Sequence, residues 1–389
     1  IYFDRYENYC APEEAGEGYA CGDQLPDGRI VSPAAGACRR EDSPYREWYI
    51  FDENEDCGYS SWWGVEDLPE VDEENPGYTE MITGEGGVIE HWMDLGVSGW
   101  RLDVADELPD SFIASIRKRV KACADDGLVI GEVWEDASNK ISYDVRRKYF
   151  QGDELDGVMN YPLRSALLDY INYTISSGRA CDCLMSLKEN YPPENFYGGL
   201  NLIGSHDRER IITAMACEED YPSAVSKVRV LSALEFTLPG VPCIYYGDEV
   251  GLTGRADPEN RNGYPWGYEN LDLGYHYRML GLIYDEHPVL KDGDFRPLSG
   301  TCGIGDDIFA FMREYPDGHG ERVLVLANRS YGPASVELRD IPGVGGAYAL
   351  ELMTSTEMDV NRYGFSEPVE LDSLSAKIIL LLDEAPTVE

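Results

Sequence analysis

The chain changes its hydrophobic rhythm twice, and the changes divide it into three regions. Residues 1 to about 80 show little sustained periodicity and are rich in Gly, Pro, Tyr, Trp and acid. A long irregular stretch inside a large chain reads as a functional excursion. From Thr83 the pattern turns helical: Val88, Ile89, Trp92, Met93 and Leu95 share one face, and Gly96 suits a helix end. A strand is predicted over Gly99 to Val104. A helix capped by Asp110 or Ser111 follows, burying Phe112, Ile113, Ile116 and Val120. Further strands are predicted at Leu128 to Gly131, Leu155 to Asn160, Gly199 to Ser205 and Pro242 to Tyr246. The intervening helices are placed near Tyr143 to Phe150, Leu163 to Ile175, Ala224 to Leu238 and Tyr275 to Glu286, with one or two turns near Cys183 to Asn190.

Alternation of strand and helix at this spacing means parallel strands joined by helical crossovers, either an open sheet or a barrel. After about Lys291 short strands separated by Gly, Pro and Asp turns take over, as in Ile308 to Arg313, Arg322 to Asn328, Ala334 to Leu338 and Ala376 to Leu382. That rhythm predicts a small antiparallel β-sandwich. The expected domains are an excursion over 1–80, an α/β body over 81–290 and the sandwich over 291–389.

Charge narrows the partners. The 73 acidic and 32 basic residues leave a formal charge of -41, spread along the chain, which repels phosphate backbones and suits a neutral polymer. No run of about eighteen apolar residues occurs, so a membrane span is not expected. The ten cysteines include no Cys-x-x-Cys pair, and histidines number only five, which disfavours a structural zinc site. Cys123 and Cys243 lie in apolar runs and read as small buried hydrophobes. A reducing, cytoplasmic compartment is the simpler expectation.

Three polar strings sit at predicted strand ends, where active sites of α/β folds lie. In Gly99-Trp100-Arg101-Leu102-Asp103-Val104-Ala105, alternation puts Arg101 and Asp103 on one face, and a guanidinium favours the ionised carboxylate that a nucleophile requires. In Gly131-Glu132-Val133-Trp134, an acid follows an apolar strand, an environment that raises a carboxyl pKa toward general-acid use. In Ser205-His206-Asp207 a His-Asp pair ends a strand. Alone, each string also reads structurally, as an Arg-Asp brace, a loop-bracing acid or a helix cap. Together their spacings of 29 and 75 residues fit whole βα units, so the three acids converge on one rim. Two carboxyls about 5–5.5 Å apart support double displacement at a sugar carbon with retention. Trp62, Trp63, Trp134 and Trp266, in predicted loops, suit a stacked sugar as well as a structural brace.

These strings resemble three of the four main motifs of glycoside hydrolase family 13, the α-amylase family. Leu68-Pro69-Glu70-Val71-Asp72-Glu73-Glu74-Asn75-Pro76 is similar to the short motif of its neopullulanase, maltogenic amylase and cyclomaltodextrinase branch. Tyr245-Tyr246-Gly247-Asp248-Glu249 resembles the eighth strand, and Asp257-Pro258 with Arg261 the substrate-facing loop. The resemblance implies Asp103 as nucleophile, Glu132 as general acid/base and Asp207 as transition-state stabiliser. It implies that Arg101 orients Asp103, that His206 donates to a sugar hydroxyl, and that Asp257 and Arg261 hold a glucose further from the cut. Trp134 and Glu107 are implied toward the leaving group. The family's first main motif and strands one to three have no counterpart, and Ile1-Tyr2-Phe3-Asp4 is similar to the sequence just downstream of that motif. The implied fold is therefore a partial TIM (β/α)8 barrel, strands 4–8, with an irregular insertion and a C-terminal antiparallel β-sandwich. Asp106 stands where many members have Asn, which bears on acceptor choice.

The implied activity is retaining hydrolysis of α-1,4 or α-1,6 glucosidic bonds in maltooligosaccharides, cyclodextrins, pullulan or starch. The alternatives are a non-catalytic glycan-binding member and a truncated, inactive remnant. The reaction needs no cofactor and the three acids are not assigned to a metal. Many members bind calcium, so a calcium site stays open here, as do the preferred glucan and the oligomeric state.

Overall fold

The computed structural model describes residues 2–216, 220–300, 303–316, 318 and 320–385. Cys217 and Cys302 lie outside the described residues. The chain divides into two compact units, Ile1–Trp100 with Glu107–Leu128, and Arg101–Asp106 with Val129–Glu389.

In the first unit the excursion is held by small local clusters. Phe3 and Tyr59 pack edge to face at 4.6 Å, with Tyr49 and Phe51 around them. Cys10, Leu25 and Val31 form a second cluster beside the paired strands Tyr9–Cys10 and Ile30–Val31. Asn75 caps the helix Pro76–Thr83 by accepting from the Gly77 and Tyr78 amides. The helix Asp110–Cys123 buries Phe112, Ile113, Ile116 and Val120, the face its sequence predicts. Its N-cap is Pro109 and makes no side-chain cap, so Asp110 serves as a first-turn acid, favourable to the helix dipole. Cys123 is exposed, not buried as expected, because it is the last residue of that helix, one turn past Val120, the last buried position.

In the second unit five short strands follow chain order: β1 (Gly99–Leu102, its last two residues), β2 (Leu128–Gly131, its last three), β3 (Gly157–Val158), β4 (Leu200–Asn201) and β5 (Val241–Pro242). Parallel registers set Ile130 opposite Gly157, Met159 opposite Leu200, and Leu200 opposite Val241. Among the described residues no strand pairs with the outer edge of β1 or β5. The helix expected near Tyr143 to Phe150 is instead an antiparallel hairpin of Ile141–Ser142 and Val145–Arg146. Tyr143 and Asp144 turn it in the left-handed region, at φ 50° and 62°, the geometry of a tight two-residue hairpin turn. The predicted turns near Cys183 extend to a full helix, Ser177–Asn190, capped by Ser176. Cys243 is only partly buried.

The C-terminal region is a six-stranded sheet ordered Asp294–Pro297, Ile308–Glu314, Arg322–Asn328, Ser375–Leu382, Tyr348–Glu351, Thr356–Met358. Both faces are buried. Phe309, Phe311, Val323 and Val325 join the core of the helices Tyr161–Ile171 and Tyr221–Thr237. Ala310, Met312, Leu324 and Leu326 alternate with them and pack against Val336, Val369 and Leu371 of a smaller strand pair. Residues on either side of position 290 thus share one continuous core.

Candidate active site

The end of β1 is built around a strained turn. Val104, directly after Asp103, has φ 40°, a costly conformation for a β-branched residue. The turn is held by Glu132: the Val104 amide donates to Glu132 Oε2 at 2.9 Å, and the Glu132 amide donates to the Leu102 carbonyl at 2.9 Å. Gly131, beside Glu132, leaves room for Leu155, whose side chain a Cβ there would meet at 2.5 Å.

Arg101 bridges two acids. One arm of its guanidinium pairs with Asp103, and the other lies 3.0 Å from Glu132 Oε1. The environments of the two carboxyls differ sharply: the Asp103 side chain is 73% exposed and the Glu132 side chain 6%. One carboxylate is open to an incoming ring; the other is buried and fixed. Trp134 also donates to Glu132 Oε1, at 3.2 Å, and its ring stacks on Tyr161 at 4.6 Å.

Tyr161 links this pair to Asp207. Its hydroxyl bonds Ser205 Oγ at 3.2 Å, and Ser205 Oγ accepts from the Asp207 amide at 3.3 Å. Burial raises the Tyr161 hydroxyl pKa, and the charges of Glu132 and Asp207 add to the rise while Arg101 opposes it. Asp207 is flanked by an imidazole and a guanidinium: His206 Nε2 lies 3.1 Å from Oδ2, and Arg261 Nη2 3.2 Å from Oδ1. Arg261 also pairs with Asp257 at 2.7 Å, and both remain about half exposed. Buried Asn260 ties the Asp257 loop to the Asp207 loop, donating to the carbonyls of His206 and Arg208 at 2.6 and 2.9 Å.

The structure thus groups Arg101, Asp103, Glu132, Trp134, His206, Asp207, Asp257 and Arg261 through named contacts within the second unit. Glu107 belongs to the first unit, where its carboxylate accepts from the indoles of Trp62 and Trp63. Asp106 is neutralised by Lys140 at 2.9 Å and accepts from the Tyr149 hydroxyl at 2.7 Å. Sequence reasoning missed Tyr161, Asn260 and the buried Arg210–Asp248 pair at 3.2 Å. An arginine three residues beyond Asp207, and an acid closing the apolar run Val241 to Tyr246, were the available signals for that pair. Among the described residues no cluster of three or more His, Cys, Asp or Glu side chains is arranged to hold a metal.

Comparison with known proteins identifies the family. The family profile described as "Alpha amylase, catalytic domain" matches residues 34–272, and that of the "Maltogenic Amylase, C-terminal domain" matches 305–374. A cyclomaltodextrinase of Geobacillus thermopakistaniensis is 32% identical over 76% of this chain and 48% of its own length. Neopullulanase 2 of Thermoactinomyces vulgaris is 31% identical over 82% of this chain and 52% of its own. An amylopullulanase of Thermoanaerobacter thermohydrosulfuricus is 31% identical over 82% of this chain but only 22% of its own. The chain thus spans about half the length of the first two and far less of the third. Among solved structures, the cyclic α-maltosyl-(1→6)-maltose hydrolase of Arthrobacter globiformis superposes with a TM-score of 0.72 at 28% identity, over 87% of this chain and 69% of that one. The fold is of the α/β-barrel type followed by a C-terminal sheet domain. The chain belongs to the α-amylase family of glycoside hydrolases, in the branch of the neopullulanases, maltogenic amylases and cyclomaltodextrinases.

Proposed function

We propose that this chain carries the catalytic acids of a retaining α-glucan hydrolase that acts on α-1,4 or α-1,6 bonds of maltooligosaccharides, cyclodextrins, pullulan or starch. The observation that carries the reading is the Arg101 bridge, which joins one exposed and one buried carboxyl. Exposed Asp103 attacks the anomeric carbon. Glu132 protonates the departing glycosidic oxygen, then takes a proton from the water that releases the glycosyl-enzyme. Asp207, between His206 and Arg261, holds sugar hydroxyls as the ring flattens toward an oxocarbenium ion. Asp257 and Arg261 seat a more distant glucose, and Trp134 stands beside the acid/base. The chemistry runs on carboxylates and water, without a cofactor. The free thiols of the described cysteines support a cytoplasmic site of action, and no helix among the described residues is long and apolar enough to cross a membrane.

The test is kinetic and chemical. Asp103→Ala and Glu132→Ala should abolish hydrolysis of maltoheptaose while glucan binding persists, and the first product should carry the α-anomer by NMR. Inversion at the anomeric carbon, or turnover by Asp103→Ala, would refute the assignment. A second reading concerns this chain by itself. β1 to β5 correspond to strands four to eight of a barrel, and the outer edges, which no strand among the described residues pairs, favour weak activity in isolation. Near-normal turnover by the 389-residue chain would refute that reading.

A further inference from the structure

We infer that Arg208 is a positioning residue for the proposed acid/base: its guanidinium lies on the face of Trp134 and keeps the indole N–H on the Glu132 carboxylate. The inference rests on the proposed function for the role of Glu132 and goes beyond it in naming what holds that side chain. Glu132 takes three donors. The Val104 amide, 2.9 Å from Oε2, belongs to the main chain. The Arg101 guanidinium, 3.0 Å from Oε1, is shared with Asp103. The Trp134 indole, 3.2 Å from Oε1, is the third.

Trp134 stands past the end of β2, in a bend, where no strand pairing sets the direction of its side chain. Contacts of the ring must set it. Tyr161 stacks on the indole with centroids 4.6 Å apart and planes at 17°. The Arg208 guanidinium carbon lies 4.4 Å over the same ring. At those distances the two groups cannot share a face, so the indole is held between them. A cation over an indole face is attracted by the ring's quadrupole, and tryptophan is the best partner for it. With both faces covered, Trp134 acts as a strut for Glu132 and not as a platform for a sugar.

The partner that Arg208 takes is informative. In a chain of 73 acidic and 32 basic residues an exposed arginine meets carboxylates easily. Among the described residues Arg208 nevertheless pairs with none, and its guanidinium goes to the indole. Its backbone is fixed: the Arg208 amide donates to the Ser205 carbonyl at 3.3 Å, and its carbonyl accepts from buried Asn260 at 2.9 Å. A like charge bars it from the interior. Burial and then the charge of Arg208 lower the pKa of buried Arg164, whose Nε donates to the Ile203 carbonyl at 3.0 Å. Arg208 directly follows Asp207, so the sandwich ties the Asp207 loop to Glu132.

Two measurements on the full chain decide the matter. One needs no turnover: solvent exchange of the Trp134 indole proton, followed by heteronuclear NMR and assigned by the signal lost in Trp134→Phe. Arg208→Ala should speed that exchange about fourfold, the scale of an exposed cation–π contact, and Arg208→Lys should restore most of the protection. An exchange rate unchanged in Arg208→Ala overturns the inference. The other compares kcat/KM for maltoheptaose, whose sugar leaving group needs a proton, with kcat/KM for α-maltotriosyl fluoride, whose fluoride departs with little help. Arg208→Ala should lower the first about fourfold and leave the second nearly unchanged. Equal losses on both substrates, as a general loosening of the site gives, overturn the inference, and so does full activity on maltoheptaose. An unaltered chain that turns over neither substrate sinks the proposed function and leaves the inference to stand or fall on the indole exchange.

Discussion

The carboxylate of Asp248 fills the space that a side chain on Gly204 would need: a Cβ there would stand 1.9 Å from Oδ2. Asp248 cannot yield easily, because it is buried against Arg210 at 3.2 Å, and Arg210 lies 3.9 Å from the centroid of the Tyr245 ring. Burial lifts the Asp248 carboxyl to about 7 even against the pull of that guanidinium. Gly204 precedes His206 and Asp207 on the same strand end, so the contact fixes where those two side chains leave the backbone. Gly204→Ala should therefore cost about 3 kcal/mol or more in stability and lower hydrolysis with it. Thermal or chemical denaturation of a double-mutant cycle with Asp248→Ala checks the cause. Removing the carboxylate should relieve the clash and give a coupling of more than about 1 kcal/mol, whereas strictly additive losses would refute it.

Arg101 holds Asp103 and Glu132 with separate arms of one planar fork. Lysine keeps the charge but offers a single point, so it can serve one acid at a time. Arg101→Lys should lower kcat for maltoheptaose by about a hundredfold, since misplacement by about 1 Å is worth that much. KM should move only a few-fold, because Asp207, Asp257 and Arg261 do not touch Arg101 in any contact described. Steady-state kinetics separate the two effects, and a loss confined to KM would count against a bridging role.

Much of the fold was legible because its signals are local. The stripe Phe112, Ile113, Ile116, Val120 is buried as its spacing predicts, and the alternation of Ile308 to Glu314 puts successive side chains into two cores. The hairpin at Ile141 to Arg146 was not legible: its turn is made by Tyr143 and Asp144, neither of them the glycine that marks such a turn in sequence. The site was legible in its acids, which stand at strand ends. Its supports were not. Tyr161 opens a helix, directly before Pro162, and looks like an ordinary core aromatic, yet it touches Trp134 and Ser205, which are distant in sequence. Glu107 shows the reverse case: a polar residue beside the nucleophile string whose described partners, Trp62 and Trp63, come from the irregular excursion.

Arg313 fastens the C-terminal sheet to the helix Tyr221–Thr237. Its fully buried guanidinium donates to the Thr237 carbonyl at 2.8 Å and to the Gly293 carbonyl at 2.9 Å. Burial lowers its pKa to about 10, so it stays protonated near neutrality. Arg313→Met keeps the length of the stem but strands both carbonyls. The loss should be about 3 kcal/mol, the sum of two unsatisfied buried acceptors. Chemical denaturation should show the loss as a shift in midpoint, and a midpoint unchanged from the parent would show that the fastening contributes nothing.

His276 sets an acid limit on stability. Its Nε2 meets Ser232 Oγ at 3.1 Å and the Arg229 carbonyl at 3.2 Å. Burial, reinforced by the Arg229 guanidinium, holds its pKa down to about 4 from an ordinary 6.5. The unfolded chain therefore takes up a proton below about pH 6.5 that the folded chain refuses until about pH 4. More protons are bound in the unfolded state across that window, so the His276 contribution is whole above pH 6.5 and falls as pH drops toward 4. At about 1.4 kcal/mol per unit, discounted for partial exposure, the total is on the order of 2 kcal/mol. His276→Gln keeps a donor for these oxygens and cannot titrate. The stability difference between parent and variant, measured by urea denaturation at several pH values from 4 to 8, should rise with pH up to about 6.5 and then level. A difference that stayed constant across the series would mean that the imidazole titrates alike in the folded and unfolded chains.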